Sequence, residues 1–380
     1  MSEKKIQMVD LQQQYHRLKK EIDTALLSVA ENGAYINGPQ VKSFSDELAS
    51  YLDTPHVIPC ANGTDALQIA LMALQLKPGD EVIVPAFTYA AAIEAVVLLG
   101  LTPVLVDIDP KTFNIDASKI ESTISRQTKA IIAVHLFGQS CDMETILAIA
   151  KKYKLFLIED NAQSIGSEYI FKDGSRRKTG TIGDIGTTSF FPTKPLACFG
   201  DGGALITSNP ELATRCRMIT MHGQEQKYHH KIIGCNSRLD TIQAAVLRVK
   251  LQHMDSFTAA RTEIAKRYDE QLNFISDVVV PFKSTFSTHV HHQYTVLIQN
   301  GKRDELQTWL KERGVASMVY YPLPLHQQEA FKWCVRIAME LTNAEKSCKA
   351  VLSLPIHSEM SEDEQLYIID AVKTGMAAVR

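Results

Sequence analysis

The stretch "KAIIAVHLFGQSCDMETILAIAKKYKLFLIED", Lys129 to Asp160, decides the fold. It opens on one apolar, β-branched run (129–138) and closes on another (154–160). Between them Met143, Ile146, Leu147 and Ala150 recur at i, i+3, i+4 and i+7, the spacing of one helix face. Strand, helix, strand predicts parallel strands joined by a crossover helix. The same pattern repeats outward. Runs at 81–87, 102–109, 185–191 and 203–208 read as further strands, and Leu67, Ala70, Leu71 and Leu74 as another helix face. The expected fold is α/β, with a sheet covered by helices on both sides.

Beyond this core, residues 10–53 read as mostly helical, with a break at "ENGAYINGPQ". A further helix face, Ile242, Ala245, Val246 and Val249, follows "NSRLD". After it, strand-like pieces ("HHQYTVLIQ") mix with helical ones ("RDELQTWLKERG"), which predicts a smaller α+β domain. The expected division is a large domain with its N-terminal helical segment over 1–255 and a small domain over 256–380. At 380 residues, one large core plus a second, smaller one is the natural arrangement.

Composition narrows the function classes. Apolar residues make up 45% and charged residues 22%, as in ordinary globular proteins. A net charge of −3 and the lack of a basic arm argue against a nucleic-acid partner. No apolar run approaches the roughly 18 residues of a membrane span. "MSEKKIQMVD" lacks the apolar segment of a signal peptide, and seven scattered cysteines show no C-x-x-C. Both features predict a cytoplasmic protein with reduced thiols.

Ligand sites in open α/β sheets gather at the carboxyl ends of the strands, where several polar features fall. Gly63 and Thr64 open a helix in "ANGTDALQIAL", which suits an anion, though taken alone it reads first as an ordinary Thr cap. "LFLIEDNAQS" ends a strand in Glu159, Asp160 and Gln163, functional acids or a capping Asp. Tyr89 closes "FTY" as an aromatic plate or a core ring. Lys194 lies among Ser, Thr, Phe, Gly and Pro in "TTSFFPTKPLACFGDGGAL", where it either reaches to water or is a desolvated, nucleophilic amine. A phosphate cradle, a carboxylate, an aromatic plate and a buried lysine together make the set that pyridoxal phosphate requires. Two rivals lack their motifs. "FGDGGAL" has leucine where a dinucleotide loop needs its last glycine, and His229, His230, His289, His291 and His292 show no metal-site spacing, so no metal is expected.

These pieces lie within a longer ordered set: "INGPQVKSFSDELASYL", "ANGTDALQIAL", "VIVPAFTYAA", "VLVDIDPKTFNID", "IIAVHLFGQ", "IEDNAQSIG", "GTIGDIGTTSFFPTKPLACFGDGGAL", "HGQ", "NSRLDTIQAAVL" and "YYPLPLH". Over essentially its full length the chain resembles the DegT/StrS family of sugar-nucleotide aminotransferases. The resemblance implies the aspartate-aminotransferase fold (fold type I), with a large, mostly parallel sheet domain, and a homodimer with two sites at its interface. Lys194 resembles the Schiff-base lysine and Asp160 the partner of the pyridine nitrogen. Gln163 matches the residue near the phenolic oxygen, and Tyr89 the ring stacked on the pyridine. Gly63, Thr64 and Ser189 match the phosphate binders, and Asn236 the phosphate ligand donated by the other subunit. A sister branch performing sugar 3-deoxygenation carries histidine at the lysine position, so Lys194 favours transamination.

"CANGTDALQIA", "SFFPTKPL" and "HGQEQKYHHKIIGCNSRLD" are most similar to the branch acting on UDP-2-acetamido-2-deoxy-ribo-hexuluronate. That branch aminates the 3-keto sugar with L-glutamate as donor, releasing 2-oxoglutarate, for bacterial surface polysaccharide such as the O-antigen of lipopolysaccharide. Arg238 and Tyr321 are then substrate contacts; otherwise they read as a salt-bridge arginine and a core tyrosine. "FKDGSRRKTG" (171–180) is expected to be a solvated hairpin, the other reading being a basic lip over the diphosphate.

Overall fold

The computed structural model describes residues 5–379; the first residues of "MSEKKIQMVD" and Arg380 lie outside it. The helix Met143–Tyr153 crosses between the parallel strands Thr128–Val134 and Phe156–Asp160. These strands belong to an eight-stranded sheet. Its order, by residue number, is 56–60, 203–207, 185–189, 156–160, 128–134, 81–85, 102–106, 336–337. Gly203–Thr207 runs antiparallel to both its neighbours; the pairs from 185–189 to 336–337 are all parallel.

Alternation along the strands sorts side chains to two cores. Val82, Val84, Ala130 and Ile132 pack with the helices Gly63–Ala73 and Ala91–Leu98 on one face. Ile83, Ile131, Ala133 and Leu157 pack with Met143 and Ile146 on the other. The sheet is therefore buried on both sides, which is why its strands read as continuous apolar runs rather than as alternating ones.

The helices Leu11–Asn32 and Pro39–Leu52 are separated by Gly33, at φ 65°, and Pro39, which sits in the first turn of the second helix. Both pack on the helix Thr241–Gln252, whose Ala245 and Val246 are buried while Ile242 and Val249 are only partly so. A separate core forms between a three-stranded antiparallel sheet (Val278–Val279, Tyr294–Ile298, Val351–Leu354) and the helices Met254–Leu272, Arg303–Glu312 and Glu362–Ala378. The short strands His56–Cys60 and Arg336–Ile337 were not among the sequence expectations. A proline inside the first and only two residues in the second leave too little apolar pattern to read. No described helix is long and apolar enough to cross a membrane.

Candidate active site

Asp160 is the last residue of its strand, paired with Val134 on one side and Thr187 on the other. Its Oδ1 accepts the Ala162 N–H at 3.0 Å in a turn, so it is not a helix cap. The other carboxylate oxygen has no hydrogen-bond partner among the described residues. Burial pushes this carboxyl up, while the Ala162 N–H and the nearby charge of Lys194 draw it back.

Lys194 ends a turn in which its N–H donates to the Phe191 carbonyl at 2.8 Å. Pro192 takes the second position, where its fixed φ favours that turn. The lysine is half-buried, and among the described residues its amine donates to no acceptor. Burial pushes the ammonium down to about 8, and the charge of Asp160 limits the fall. The desolvated reading of this lysine is therefore the one the structure supports.

At the neighbouring strand end, Asn62 caps the helix Gly63–Ala73 by accepting the Asp65 N–H at 2.8 Å. Thr64 is therefore not the cap. A Cβ on Gly63 would stand 2.7 Å from Ser189 Cβ, and one on Gly203 would stand 2.4 Å from the Asn62 carbonyl oxygen. Glycine at both places lets the helix N-terminus close onto the strand that carries Ser189. Free N–H groups and the positive end of a helix dipole suit a phosphate there.

Tyr89 is 61% exposed beyond the strand Glu81–Pro85, so the core reading fails. Its ring centroid lies 6.3 Å from that of Tyr321, whose ring meets Phe87 edge-on at 5.8 Å. Gln163 is held from both ends: its Oε1 accepts the Phe137 N–H at 2.8 Å and its Nε2 donates to the Tyr321 hydroxyl oxygen at 3.2 Å. Burial pushes the Tyr321 phenol well up, so it remains an O–H. One cleft thus gathers Asp160, Lys194, Gln163, Tyr321 and Tyr89, with the Gly63–Ser189 cradle at the adjoining strand ends. A free amine, a buried carboxylate with an open oxygen and a side-chain-free cradle fit pyridoxal phosphate.

Asn236 and Arg238 do not join this group. Asn236 is exposed, and Arg238 makes no ion pair among the described residues. It lines a groove of about 490 Å³ with Asn37, Lys42, Asp46 and Arg217. Ser237, between them, accepts the Ala61 N–H at 3.1 Å and so ties this segment to the strand end before Gly63. The 171–180 segment is a hairpin, with Glu168–Ile170 paired to Arg176–Lys178. Its basic residues are engaged locally, Arg176 and Lys178 with Glu168 at 3.3 and 3.1 Å. His229 and His230 lie exposed on a short ribbon, whereas burial pushes His289 down to about 3.

No local sequence pattern marks the role of His135. Behind Asp160, on the sheet's other face, the fully buried Glu159 accepts four donors. They are the Ile182 and Gly183 amides at 2.6 Å, the Gly180 amide at 2.9 Å and His135 Nε2 at 2.8 Å. The His135 Nδ1 accepts the Cys141 N–H at 3.1 Å, so its single proton sits on Nε2 and points at Glu159.

The sequence profile of the DegT/DnrJ/EryC1/StrS aminotransferase family matches residues 16–373. A pleiotropic regulatory protein of Geobacillus stearothermophilus is 46% identical, over 97% of each chain. The UDP-2-acetamido-2-deoxy-3-oxo-D-glucuronate aminotransferase of Pseudomonas aeruginosa is 45% identical, over 93% of this chain and 95% of its own. The structure of DesV from S. venezuelae superposes with a TM-score of 0.93 at 38% identity, covering 98% of each chain. Other solved relatives hold the cofactor as pyridoxal or pyridoxamine phosphate. The chain belongs to the DegT/DnrJ/EryC1/StrS aminotransferase family, the pyridoxal-phosphate-dependent sugar aminotransferases.

Proposed function

We propose that this enzyme moves the amino group of L-glutamate to C3 of UDP-2-acetamido-2-deoxy-3-keto-glucuronate, in the cytoplasm, for bacterial surface polysaccharide. The observation that carries the aminotransferase reading is the unpartnered, pKa-lowered Lys194 amine beside Asp160. The uronate rests on the 45% identity to the Pseudomonas enzyme. When bound, pyridoxal phosphate supplies an electron sink for the carbon from which a proton leaves. Asp160 would be the anion that keeps its pyridine nitrogen protonated, and Tyr89 and Gln163 would be further side chains that hold it. Gly63, Thr64 and Ser189 would hold its phosphate. Lys194 takes a proton from Cα of glutamate and returns one to C3 of the sugar, which requires an amine that is neutral part of the time. Residues 1–255 form the cofactor domain in this reading, and 256–380 the small domain that brings Tyr321 against the substrate.

Arg238 is assigned to the sugar carboxylate, which a guanidinium can hold bidentately. Loss of such a contact costs about 1.5–3 kcal/mol, roughly ten- to a hundredfold in kcat/KM. Arg238→Ala is therefore expected to lower turnover of the UDP-3-keto-uronate by that factor and to leave a 4-keto-6-deoxy sugar nucleotide nearly unaffected. A wild-type preference for the 4-keto-6-deoxy substrate would overturn the uronate assignment and leave the aminotransferase standing.

The working unit in this reading is a homodimer with shared sites. Support comes from Arg238 and Asn236 standing outside the Lys194 cleft, and from the uncovered Tyr228, 78% exposed on the neighbouring ribbon, and Ile233, 85% exposed just beyond it. If both are donated to the partner, Lys194→Ala and Arg238→Ala subunits complement one another. A mixed dimer then has one doubly defective site and one intact site. Activity is expected to return when the two variants are dissociated and reassociated together. Confirmed heterodimers without recovery would place Arg238 in its own subunit's site.

A further inference from the structure

Arg261 and Lys250 are each only 3% exposed, and neither is used by the site described above. Two nitrogens of the Arg261 guanidinium, Nε and Nη1, are buried without a hydrogen-bond partner. Lys250 has no acceptor among the described residues, and its ammonium rests over the Phe199 ring at 4.9 Å. A loop that passes beside them holds His357, whose buried Nδ1 is also unpartnered, and Glu359. The Tyr268 hydroxyl pins this loop by donating to the Pro355 carbonyl at 3.0 Å. Glu359 is already paired with Arg17 at 3.3 Å. Two buried cations, Arg261 and Lys250, and the exposed Arg17 therefore share one carboxylate. Burial pushes Lys250 down to about 8 and Arg261 to about 10, and the Arg261 charge lowers Lys250 further.

Two chain segments connect this cluster with the Lys194 site. Phe199 lies five residues beyond Lys194 on the same loop. The backbone of His291 and His292 packs against Gly138, where an added Cβ would meet both amides at 3.0 Å. The next residue back, Phe137, donates its amide to Gln163. Burial and the charges of Lys194 and Arg261 keep His292 neutral, so it contributes no further cation.

A buried guanidinium whose nearest carboxylate is already paired with another arginine carries a desolvation cost that no ion pair of its own repays. Such an arrangement is retained when a ligand brings the missing anion. We propose that Arg261 and Lys250 form the subsite for a carboxylate of the dicarboxylic amino donor, reached from the Lys194 cleft and distinct from the Arg238 contact assigned to the sugar. The inference rests on the aminotransferase reading. It adds the groups by which the enzyme would recognise glutamate, since a transaminase must hold its donor's carboxylates while Lys194 works on Cα.

Glutarate, which has both carboxylates but no amine to react, is the probe. Titrated into the pyridoxal-phosphate-loaded enzyme at constant ionic strength, it is expected to raise Tm, with chloride and methanesulfonate as inactive controls. Arg261→Met and Lys250→Met are expected to weaken glutarate binding and to raise the KM for glutamate about ten- to a hundredfold. The KM for the sugar nucleotide should not change. Without ligand, both variants should unfold no earlier than wild type, because each removes a buried, unpaired charge. A merely structural arginine would show the opposite, an earlier transition with unchanged donor affinity, and that result overturns the proposal. A loss falling equally on the sugar nucleotide also overturns it, by assigning the cluster to the uronate carboxylate. If Arg261→Met does not fold, Lys250→Met and Arg261→Lys carry the same comparison. An enzyme that binds glutarate through these residues but never exchanges with glutamate sinks the aminotransferase reading and leaves the subsite standing.

Discussion

Lys194→Ala is expected to abolish turnover, by a thousandfold or more on the scale of a lost nucleophile and proton-transfer group, roughly 10²–10⁴ for the proton transfer alone. The same variant should still bind pyridoxal phosphate, because the Gly63–Ser189 cradle and Asp160 are untouched. Its visible spectrum should be that of the free aldehyde, whereas the wild type should show the shifted band of a lysine-bound cofactor that glutamate bleaches. Added methylamine should return a small part of the activity, since a soluble amine can accept the proton that Nζ would have taken. The free enzyme's lysine also predicts a pH profile. Only the neutral amine attacks a carbonyl, and burial puts this ammonium at about 8. Covalent loading of the apoenzyme should therefore rise about tenfold per pH unit below 8 and level off above it. A rate still climbing at pH 10 would mean that the amine is as solvated as an ordinary lysine.

Why this lysine could be singled out from sequence is a matter of its surroundings. The residues flanking Lys194 are small or apolar and its nearest acids in sequence are Asp184 and Asp201, and the turn set by Pro192 then puts it at the end of the Asp160 strand. The α/β layering was legible for a similar reason. Strands buried on both faces must be apolar throughout, so 81–85, 102–106, 128–134 and 156–160 stand out, the first three read a few residues long at the C-terminal end. Those overruns are the segments where the chain leaves the sheet to build the cleft, as with Phe87 and Phe137.

What local pattern could not show is anything decided by distant pairing. Two residues at 336–337 become an edge strand only because the chain beyond 300 returns to Thr102–Val106. The cap at Asn62 took the role that Thr64 was eligible for, a choice between adjacent side chains that composition does not make. Arg261 sits on a helix with no sign that its guanidinium is sealed from water, because burial of a long polar side chain depends on what folds over it. His135 was equally silent, one histidine at the end of a strand whose ring meets an acid 24 positions further along.

That acid carries the second large expectation. Glu159→Gln should cost the fold about 2–6 kcal/mol, the cost of leaving two buried donors without an acceptor. The carboxylate is surrounded only by donors, with Oε1 taking the Ile182 and Gly183 amides and Oε2 taking Gly180 and His135. A glutamine can keep one pair of these but must turn its own N–H₂ on the other. His135 cannot relieve the conflict by moving its proton, because Nδ1 would then confront the Cys141 N–H it now accepts. Two buried donors are left facing donors, about 1–3 kcal/mol each. Burial alone would push the Glu159 carboxyl up, but the hydrogen bonds from His135, Gly183 and Gly180 outweigh it and hold the group below its ordinary 4.5. A depressed native pKa contributes stability that is complete above the unfolded value and is lost as pH falls through the folded one. The wild type should therefore lose part of its resistance to urea below about pH 4.5, and Glu159→Gln should show a flatter profile there because it has no such proton to take up. Since Gly180–Gly183 leads directly into Ile185–Ser189, loosening it should also weaken cofactor retention at Ser189 before the chain unfolds globally. A Gln variant within 1 kcal/mol of wild type, with cofactor held as tightly, would show that the loop finds its place without the carboxylate.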